Sequence, residues 1–481
     1  MFLRQFQIEG LGHLSALIAD EDAGLAAVVD PRRDVDVYLA AAHERDLRIT
    51  HVVETHLHND YVSGARELAA ITGAEQVIGA RAELAYQRRG HDVRDQESFS
   101  IGRLRFVALE TPGHTPEHVS YAVADTSRAE EPLLLFTGGS LLVGSVGRTD
   151  LLGAEKAVPY AREMFRSLHE VILRHEDFVG VIPTHGAGSL CSTGISATTS
   201  SSVGFERRYN LMLQPTDVDT FVRGLLDGQP TFPRYFARMR PTNQGGPPPL
   251  GSIPTPRPLA LEEVRRSIAD GAAVVDARSP VDHALAHIPG SFSMPAGTSF
   301  GTWVGWVVEP DRPLVLVLDS VDDWDDLVRQ ALRVGHDSIA GYLQGGFARW
   351  LEAGNPTESN GRLSVEQLAR ASAGSAPPLV IDVRQASEYA AGHIPGALHI
   401  GAGELIEHLA DLPRDRPLAT MCASGYRSSV AASLLRQAGF SDVSWVAGGV
   451  ATWGAAGLPV DRGAPADASL VTSRALGEPA H

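Results

Sequence analysis

At 481 residues the chain is too long for one hydrophobic core, and roughly two to four domains are expected. Apolar residues make up 43% and charged residues 21%, the balance of a globular protein, and a formal net charge of −17 argues against nucleic acid and anionic membrane surfaces as main partners. Only two cysteines occur, Cys191 and Cys422, which excludes a disulfide scaffold and fits a reducing compartment. No apolar run approaches bilayer-spanning length, and residues 1–6 lack the basic and apolar regions of a signal peptide, so a cytoplasmic protein is expected.

Strand-like runs at 15–19 and 26–29 lead into a turn at 30–34. A helix is expected over 35–45 and a strand over 48–54, a β-β-α-β order that suits a layered α/β fold. Directly after that strand come Thr55, His56, Leu57, His58, Asn59, Asp60 and Tyr61, with a helix expected over 65–71. An H-x-H spacing in a strand-end loop lets both imidazoles turn to one side and converge on a cation. Further strands are expected at 104–110, 119–123, 133–136 and 179–182, with helices at 154–169 and within 202–228. Two connecting loops add histidines: His114 in Thr111-Pro112-Gly113-His114-Thr115, and His185 in Pro183-Thr184-His185-Gly186.

A Pro/Gly-rich stretch, 241–256, is expected to be a stiff linker that closes a first domain of residues 1–240. Beyond it the chain repeats itself. Val274-Val275-Asp276-Ala277-Arg278 recurs as Val380-Ile381-Asp382-Val383-Arg384, and His287-Ile288-Pro289-Gly290 as His393-Ile394-Pro395-Gly396. A Gly-Gly-x-x-x-Trp stretch ending at Trp350 recurs ending at Trp453. Repeats of this size imply tandem domains, placed at 257–357 and 362–462, followed by a small-residue tail at 463–481 that is expected to be disordered.

In the second copy an apolar strand, 417–421, runs into Cys422-Ala423-Ser424-Gly425-Tyr426-Arg427-Ser428 and then a helix over 429–438. A thiol in a loop that opens onto a helix N-terminus faces backbone N–H groups and the positive end of the helix dipole, both of which favour the nucleophilic thiolate. Arg427 adds a fixed positive charge for an anionic substrate.

Taken together, THLHNDYVSG, TPGHTPEH, FTGGSLLVGSVGRTDL and PTHGAGSLC resemble the metallo-β-lactamase fold, and within it the persulfide dioxygenases. The repeated D-x-R, HIPG and GG-x-x-x-W signatures resemble rhodanese domains. The resemblance implies an α/β protein, an N-terminal αββα metallo-β-lactamase fold followed by two α/β rhodanese domains. It implies that Cys422 is a persulfide-forming nucleophile, that Ala423, Ser424, Gly425 and Tyr426 form the substrate cradle, and that Arg427 orients loop or substrate. Cysteine phosphatases use a similar cradle with one more residue between Cys and Arg, so sulfur transfer is favoured over phosphate chemistry. In the first copy Leu318 stands at the cysteine position and Asp323 at the arginine position, which makes that copy a structural or docking domain. His287 and His393 recur in both copies, with and without a thiol, and are expected to be structural.

For the N-terminal domain the resemblance implies a metal pocket of His56, His58 and His114. A second pocket retains only Asp60 and His185 and is expected to be vestigial, because Tyr61 and Gly139 stand where the family has a histidine and a bridging aspartate. Persulfide dioxygenases hold Fe²⁺ through the residues that match His56, His114 and position 139. One first-row ion is therefore expected, Fe²⁺ by resemblance and Zn²⁺ as the alternative, with a metal-free domain as a further alternative because Gly139 offers no carboxylate. Glu117 and His118 are candidates to support the ligands; Arg148, Thr149 and Asp150 are expected to be structural, and Cys191 a packed thiol.

The expected function is a persulfide dioxygenase–rhodanese fusion that oxidises a low-molecular-weight thiol persulfide and moves sulfane sulfur through Cys422 to or from sulfite, thiosulfate or a thiol. Three alternatives stand beside it: a sulfurtransferase with a degenerate metal domain, a glyoxalase II-like Zn²⁺ thioester hydrolase, and a non-enzymatic sulfur carrier or sensor. The resemblance also implies a homo-oligomer.

Overall fold

The structure, a computed structural model, describes residues 1–227 and 229–464; the expected disordered tail lies, from residue 465 on, outside the described residues. The chain divides into two units, residues 1–253 with 329–335, and residues 254–328 with 336–481.

The first unit is built on two six-stranded sheets. Its first sheet runs in chain order through Phe2–Ile8, His13–Asp20, Leu25–Val29, Arg48–Val53, Glu75–Gly79 and Gly90–Val93, antiparallel at the start and parallel from the third strand on. The second holds Ser98–Ile101, Leu104–Glu110, Val119–Asp125, Leu134–Gly138, Gly180–Pro183 and Ser201–Ser202. Side chains alternate across a strand, so each strand of the sandwich serves two cores. Ala16, Ile18, Ala27, Val29, Val53 and Val77 face the second sheet, where Phe106, Val123 and Phe136 meet them. Their neighbours Leu17, Ala19, Ala26, Val28 and Val52 face outward and are covered by Tyr38 and Ala41 of the helix Asp36–His43 and Leu68 of the helix Ala65–Thr72. On the far side Ala161, Met164, Phe221 and Leu225 of the helices Ala154–Arg166 and Val218–Leu226 cover Leu135 and Val181. This is the expected αββα layering. Strands serving two buried faces read as continuous apolar runs, which is why the edge strands Phe2–Ile8 and Gly90–Val93, with mixed faces, give no sequence signal.

The structure differs from expectation at the linker. A helix, Phe236–Gly245, runs through Pro241, so residues 241–245 belong to the first unit. The physical reason is Asn243, whose buried amide donates to the carbonyls of His58 and Tyr61, both at 2.9 Å, and accepts from Ser63 N–H at 2.9 Å. Three backbone groups of the H-x-H loop thus hold the end of this helix in place, which offsets the hydrogen bond that Pro241 cannot make.

In the second unit two five-stranded parallel sheets share one strand order. One runs Pro258–Leu259, Ile339–Leu343, Leu314–Val317, Ala273–Asp276, Phe292–Ser293; the other Gly361–Ser364, Val443–Gly449, Leu418–Cys422, Leu379–Asp382, Leu398–His399. The repeated signatures are the bonds that close each copy. Arg278 pairs with Asp276 at 2.6 Å and donates to Ala286 O at 2.9 Å; Arg384 pairs with Asp382 at 2.5 Å and donates to Gly392 O at 2.7 Å. His287 and His393 bond the carbonyls of His283 and Tyr389 through Nδ1, at 2.6 and 2.9 Å, and stack on those same residues. Trp350 and Trp453 each donate Nε1–H to a proline carbonyl at 2.8 Å. The two HIPG histidines therefore sit as scaffold. Among the described residues no helix is long and apolar enough to cross a membrane.

Removing one partner of a buried pair leaves the other charge uncompensated. Asp382→Ala is expected to cost about 3–5 kcal/mol, read as a lowered urea midpoint of the full chain by tryptophan fluorescence; an unchanged midpoint would show that the D-x-R clamp does not hold the fold.

Candidate active sites

Four loops at strand ends build the histidine pocket. His56 follows the strand Arg48–Val53, and Thr55 beside it donates its hydroxyl proton to Asp30 Oδ2 at 2.8 Å. That hydroxyl lies 2.8 Å from His56 Nδ1, so it accepts the Nδ1 proton and Nε2 keeps its lone pair. His114 Nδ1 lies 2.8 Å from the Arg148 carbonyl, which can only accept, and the same tautomer follows. His185 Nδ1 lies 3.2 Å from Asp60 Oδ2, an ion-pair distance without hydrogen-bond alignment. Burial opposes charge on His185, but Cys191 and Asp60 outweigh it and hold its pKa well above the usual range. All three rings are at most 1% exposed. His56 Nε2 and both nitrogens of His185 have no hydrogen-bond partner.

One nitrogen each from His56, His114 and His185 lie within 4.8 Å of one another. Unpartnered buried nitrogens on His56 and His185, converging with one from His114 at that distance, make a candidate site for a first-row divalent ion, whose binding would displace the proton that His185 holds. The expected set of His56, His58 and His114 is not regrouped this way among the described residues. His58 belongs instead to two other clusters, with Asp60 and His185 and with Asp30 and Glu54. Its Nε2 lies 3.0 Å from Glu54 and 3.3 Å from Asp30, and its ring stacks on Tyr61 at 4.5 Å. Burial opposes a charge there, but Asp30 and Glu54 outweigh it and push His58 up to about 10. His185, expected in a vestigial pocket, meets His56 and His114.

The supporting residues were partly legible. Glu117 accepts from Leu57 N–H at 2.9 Å and takes both Arg240 nitrogens at 2.7 and 2.8 Å, so it positions the H-x-H loop. His118 accepts from Gly139 N–H at 3.0 Å and is occupied by backbone. Arg148 spans Asp150 and the carbonyls of Leu190 and Pro230, a structural role as expected. Cys191 is buried among Leu11, Tyr61 and Tyr235 and also faces His185, whose charged form it favours. Asp30, Glu54 and His13 gave no motif; the one local sign was Asp30 in a turn after a strand, where it adopts φ 50°.

The thiol site lies at the end of the strand Leu418–Cys422. Gly425 N–H points at Cys422 Sγ from 3.1 Å, and Ser428 Oγ lies 3.6 Å from it. Gly425 has φ 111°, which turns that N–H back toward the sulfur as the helix Tyr426–Gln437 begins. Ala423 and Ser424 are exposed at the mouth, and Tyr426 Oη donates to Pro295 O of the first copy at 3.1 Å. Arg427 is held by both oxygens of Glu388, at 2.6 and 2.8 Å, so its guanidinium is oriented before any substrate arrives. Glu388 was missed because in sequence it reads only as the Glu of a capping box with Gln385. In the first copy Leu318 is buried just past the strand Leu314–Val317 and offers no nucleophile.

Known proteins match both halves. The metallo-beta-lactamase superfamily matches residues 9–173, and the rhodanese-like domain matches residues 260–353 and 364–456. A metallo-beta-lactamase from Staphylococcus aureus subsp. aureus COL, solved as a crystal structure, superposes with a TM-score of 0.65 at 31% identity, over 71% of this chain and 98% of that one. Hydroxyacylglutathione hydrolase of Prochlorococcus marinus (strain MIT 9211) is 33% identical over 31% of this chain, which spans 56% of that protein's length. The mitochondrial persulfide dioxygenase ETHE1 of Bos taurus is 28% identical over 40% of this chain and 68% of its own. The chain belongs to the metallo-β-lactamase superfamily, with persulfide dioxygenases among its homologues and two rhodanese-like domains following the metallo-β-lactamase fold.

Proposed function

We propose that this chain transfers sulfane sulfur through Cys422 and that its histidine pocket holds one first-row divalent ion, Fe²⁺ by likeness to the persulfide dioxygenases. The observation that carries the first part is the Gly425 N–H aimed at Sγ from 3.1 Å at the start of a 12-residue helix. A thiolate there attacks the outer sulfur of thiosulfate or of a thiol persulfide. A new S–S bond forms, the old one breaks, and sulfite or thiolate leaves with the electron pair. The terminal S⁻ of the Cys422 persulfide then lies among the loop N–H groups, which stabilise its charge. A thiol, sulfite or cyanide takes that sulfur by the same exchange, and Cys422 leaves as thiolate, so no net oxidation occurs at the cysteine. Arg427, braced by Glu388, attracts the anionic donor.

In the first unit the chain's own contribution is to hold two imidazoles in one tautomer, His56 through Thr55 and His114 through the Arg148 carbonyl, with Asp60 facing His185. When bound, the ion supplies Lewis acidity and, if iron, redox chemistry with dioxygen. The likeness to hydroxyacylglutathione hydrolases favours a second reading, thioester hydrolysis with Zn²⁺. Gly139 weighs against it, because a two-metal clamp needs a bridging carboxylate.

Wild type is expected to form thiocyanate from thiosulfate and cyanide, and to carry one extra sulfur atom on the Cys422 peptide by mass spectrometry after thiosulfate alone. Cys422→Ser should abolish both; turnover that survives it would place the chemistry elsewhere. Glu388→Ala leaves the nucleophile but frees Arg427, and is expected to lower kcat/KM for thiosulfate about tenfold, equivalent to about 1.4 kcal/mol. Elemental analysis of protein purified without chelators should find close to one iron or zinc per chain, removed by dialysis against a chelator. The His56→Ala/His114→Ala variant should hold none.

A further inference from the structure

A buried thiol that ionises during its reaction is best served by a neighbour that accepts from S–H and donates to S⁻. Cys422 is 1% exposed, and the Gly425 N–H at 3.1 Å from Sγ can only donate. We propose that the Ser428 hydroxyl fills both roles as a rotor, accepting from the thiol and donating to the thiolate, and is thereby a catalytic residue of the sulfur transfer assigned to Cys422. The proposal rests on that reading of the thiol.

Ser428 stands in the first turn of the helix Tyr426–Gln437 and is fully buried. Its Oγ lies 3.6 Å from Sγ, within reach of a hydrogen bond to sulfur, and 2.9 Å from Gly425 O. One hydroxyl has one hydrogen and two lone pairs. With the thiol protonated, S–H donates to Oγ while the hydroxyl donates to Gly425 O, the back-bond to the preceding turn that serine makes in helices. With the thiolate, the hydroxyl hydrogen turns to sulfur. That turn strands nothing, because Gly425 O still accepts from Ser429 N–H at 3.0 Å. The sulfur anion then has two donors, the Gly425 N–H and the Ser428 hydroxyl. Hydrogen bonds to a charged acceptor are roughly twice as strong as those between neutral groups, so the rotor favours the thiolate.

The backbone that carries the rotor is fixed from the thiol's own strand. Thr420, two residues before Cys422, donates its hydroxyl to Ser428 O at 2.8 Å, which ties the strand Leu418–Cys422 to the helix and sets Sγ against Oγ. In the first copy both partners are replaced. The strand register that puts Leu318 at the thiol position puts Trp324 where the second copy has Ser428, and the Trp324 indole N–H is engaged by Pro254 O at 2.9 Å. Thiol and hydroxyl are absent together. In the transfer Ser428 acts twice without giving up its proton. It favours the thiolate that attacks the outer sulfur of the donor. It donates to Sγ again when an acceptor takes that sulfur and the S–S bond breaks with its electron pair on Sγ.

The test reads Cys422 in the full chain. The rate of alkylation by iodoacetamide, to which the thiolate is the reactive form, is followed against pH by the mass of the Cys422 peptide, which separates it from Cys191. Ser428→Ala is expected to move this profile about one unit to higher pH, and to slow discharge of thiosulfate-loaded Cys422 by cyanide about tenfold. Ser428→Thr keeps a hydroxyl at the same place and should hold the wild-type alkylation profile. An unmoved profile in Ser428→Ala, or a threonine profile shifted as far as the alanine one, would overturn the proposal. So would a Ser428→Ala chain whose only change is a lowered urea midpoint, the mark of a purely structural hydroxyl. Alkylation needs no sulfur donor, so a wild type that never gains sulfur at Cys422 while the alanine profile still moves would overturn the transfer reading and support the rotor.

Discussion

One buried carboxylate, Asp30, holds the histidine pocket together. It sits after the strand Leu25–Val29 in a left-handed turn and is 1% exposed. Its oxygens accept from Thr55 N–H at 2.7 Å, from the Thr55 hydroxyl at 2.8 Å and from the Thr184 hydroxyl, so the loops that carry His56 and His185 hang from one residue. Its backbone carbonyl takes His13 Nε2 at 3.0 Å and the Tyr61 hydroxyl at 3.2 Å. Burial alone would push Asp30 up, but the charge on His58 and the hydrogen bonds from Thr184 and Thr55 outweigh it and hold the carboxyl below its usual range. A buried charge this well satisfied fixes geometry more than it adds stability. Each loop is free in sequence, yet none can move without unsatisfying another.

The thiol site follows the opposite plan. Its scaffold is local and repeated, and its chemistry is confined to a short loop. Both copies in the second unit keep the Asp–Arg clamp, the HIPG histidine and the tryptophan-to-proline bond, which secure strand ends and turns irrespective of what the loop contains. Leu318 stands where the second copy has Cys422 without disturbing the shared sheet order, and the first copy meets the Cys422 loop where Pro295 O takes the Tyr426 hydroxyl. Fold and function separate cleanly here because the residues serving each do not overlap.

Some elements were legible because their determinants are close in sequence. Strands such as Leu104–Glu110, buried on alternating or both faces, announce themselves, as do the helix after Cys422 and the repeat. Edge strands such as Phe2–Ile8 do not, since their pairing partner and not their own pattern makes them strands. The linker expected from Pro241 onward failed for a related reason: a single buried amide, Asn243, reaches back to the H-x-H loop and keeps residues 241–245 helical.

By itself the sequence determined the fold class, the tandem copies, the cysteine that stands in a strand-to-helix loop and the residue types of the histidine pocket, because these depend on periodicity, spacing and the presence of a side chain. Tertiary structure alone decided which histidines face one another. The H-x-H spacing brings the His56 and His58 rings to 4.2 Å, while Nε2 of His58 turns to Glu54 and Asp30 and His185 arrives from a loop far along the chain. It decided likewise that Arg427 is braced, since Glu388 lies on another helix. Charge pairing and steric room act through space, at distances of about 3–5 Å that sequence separation does not encode.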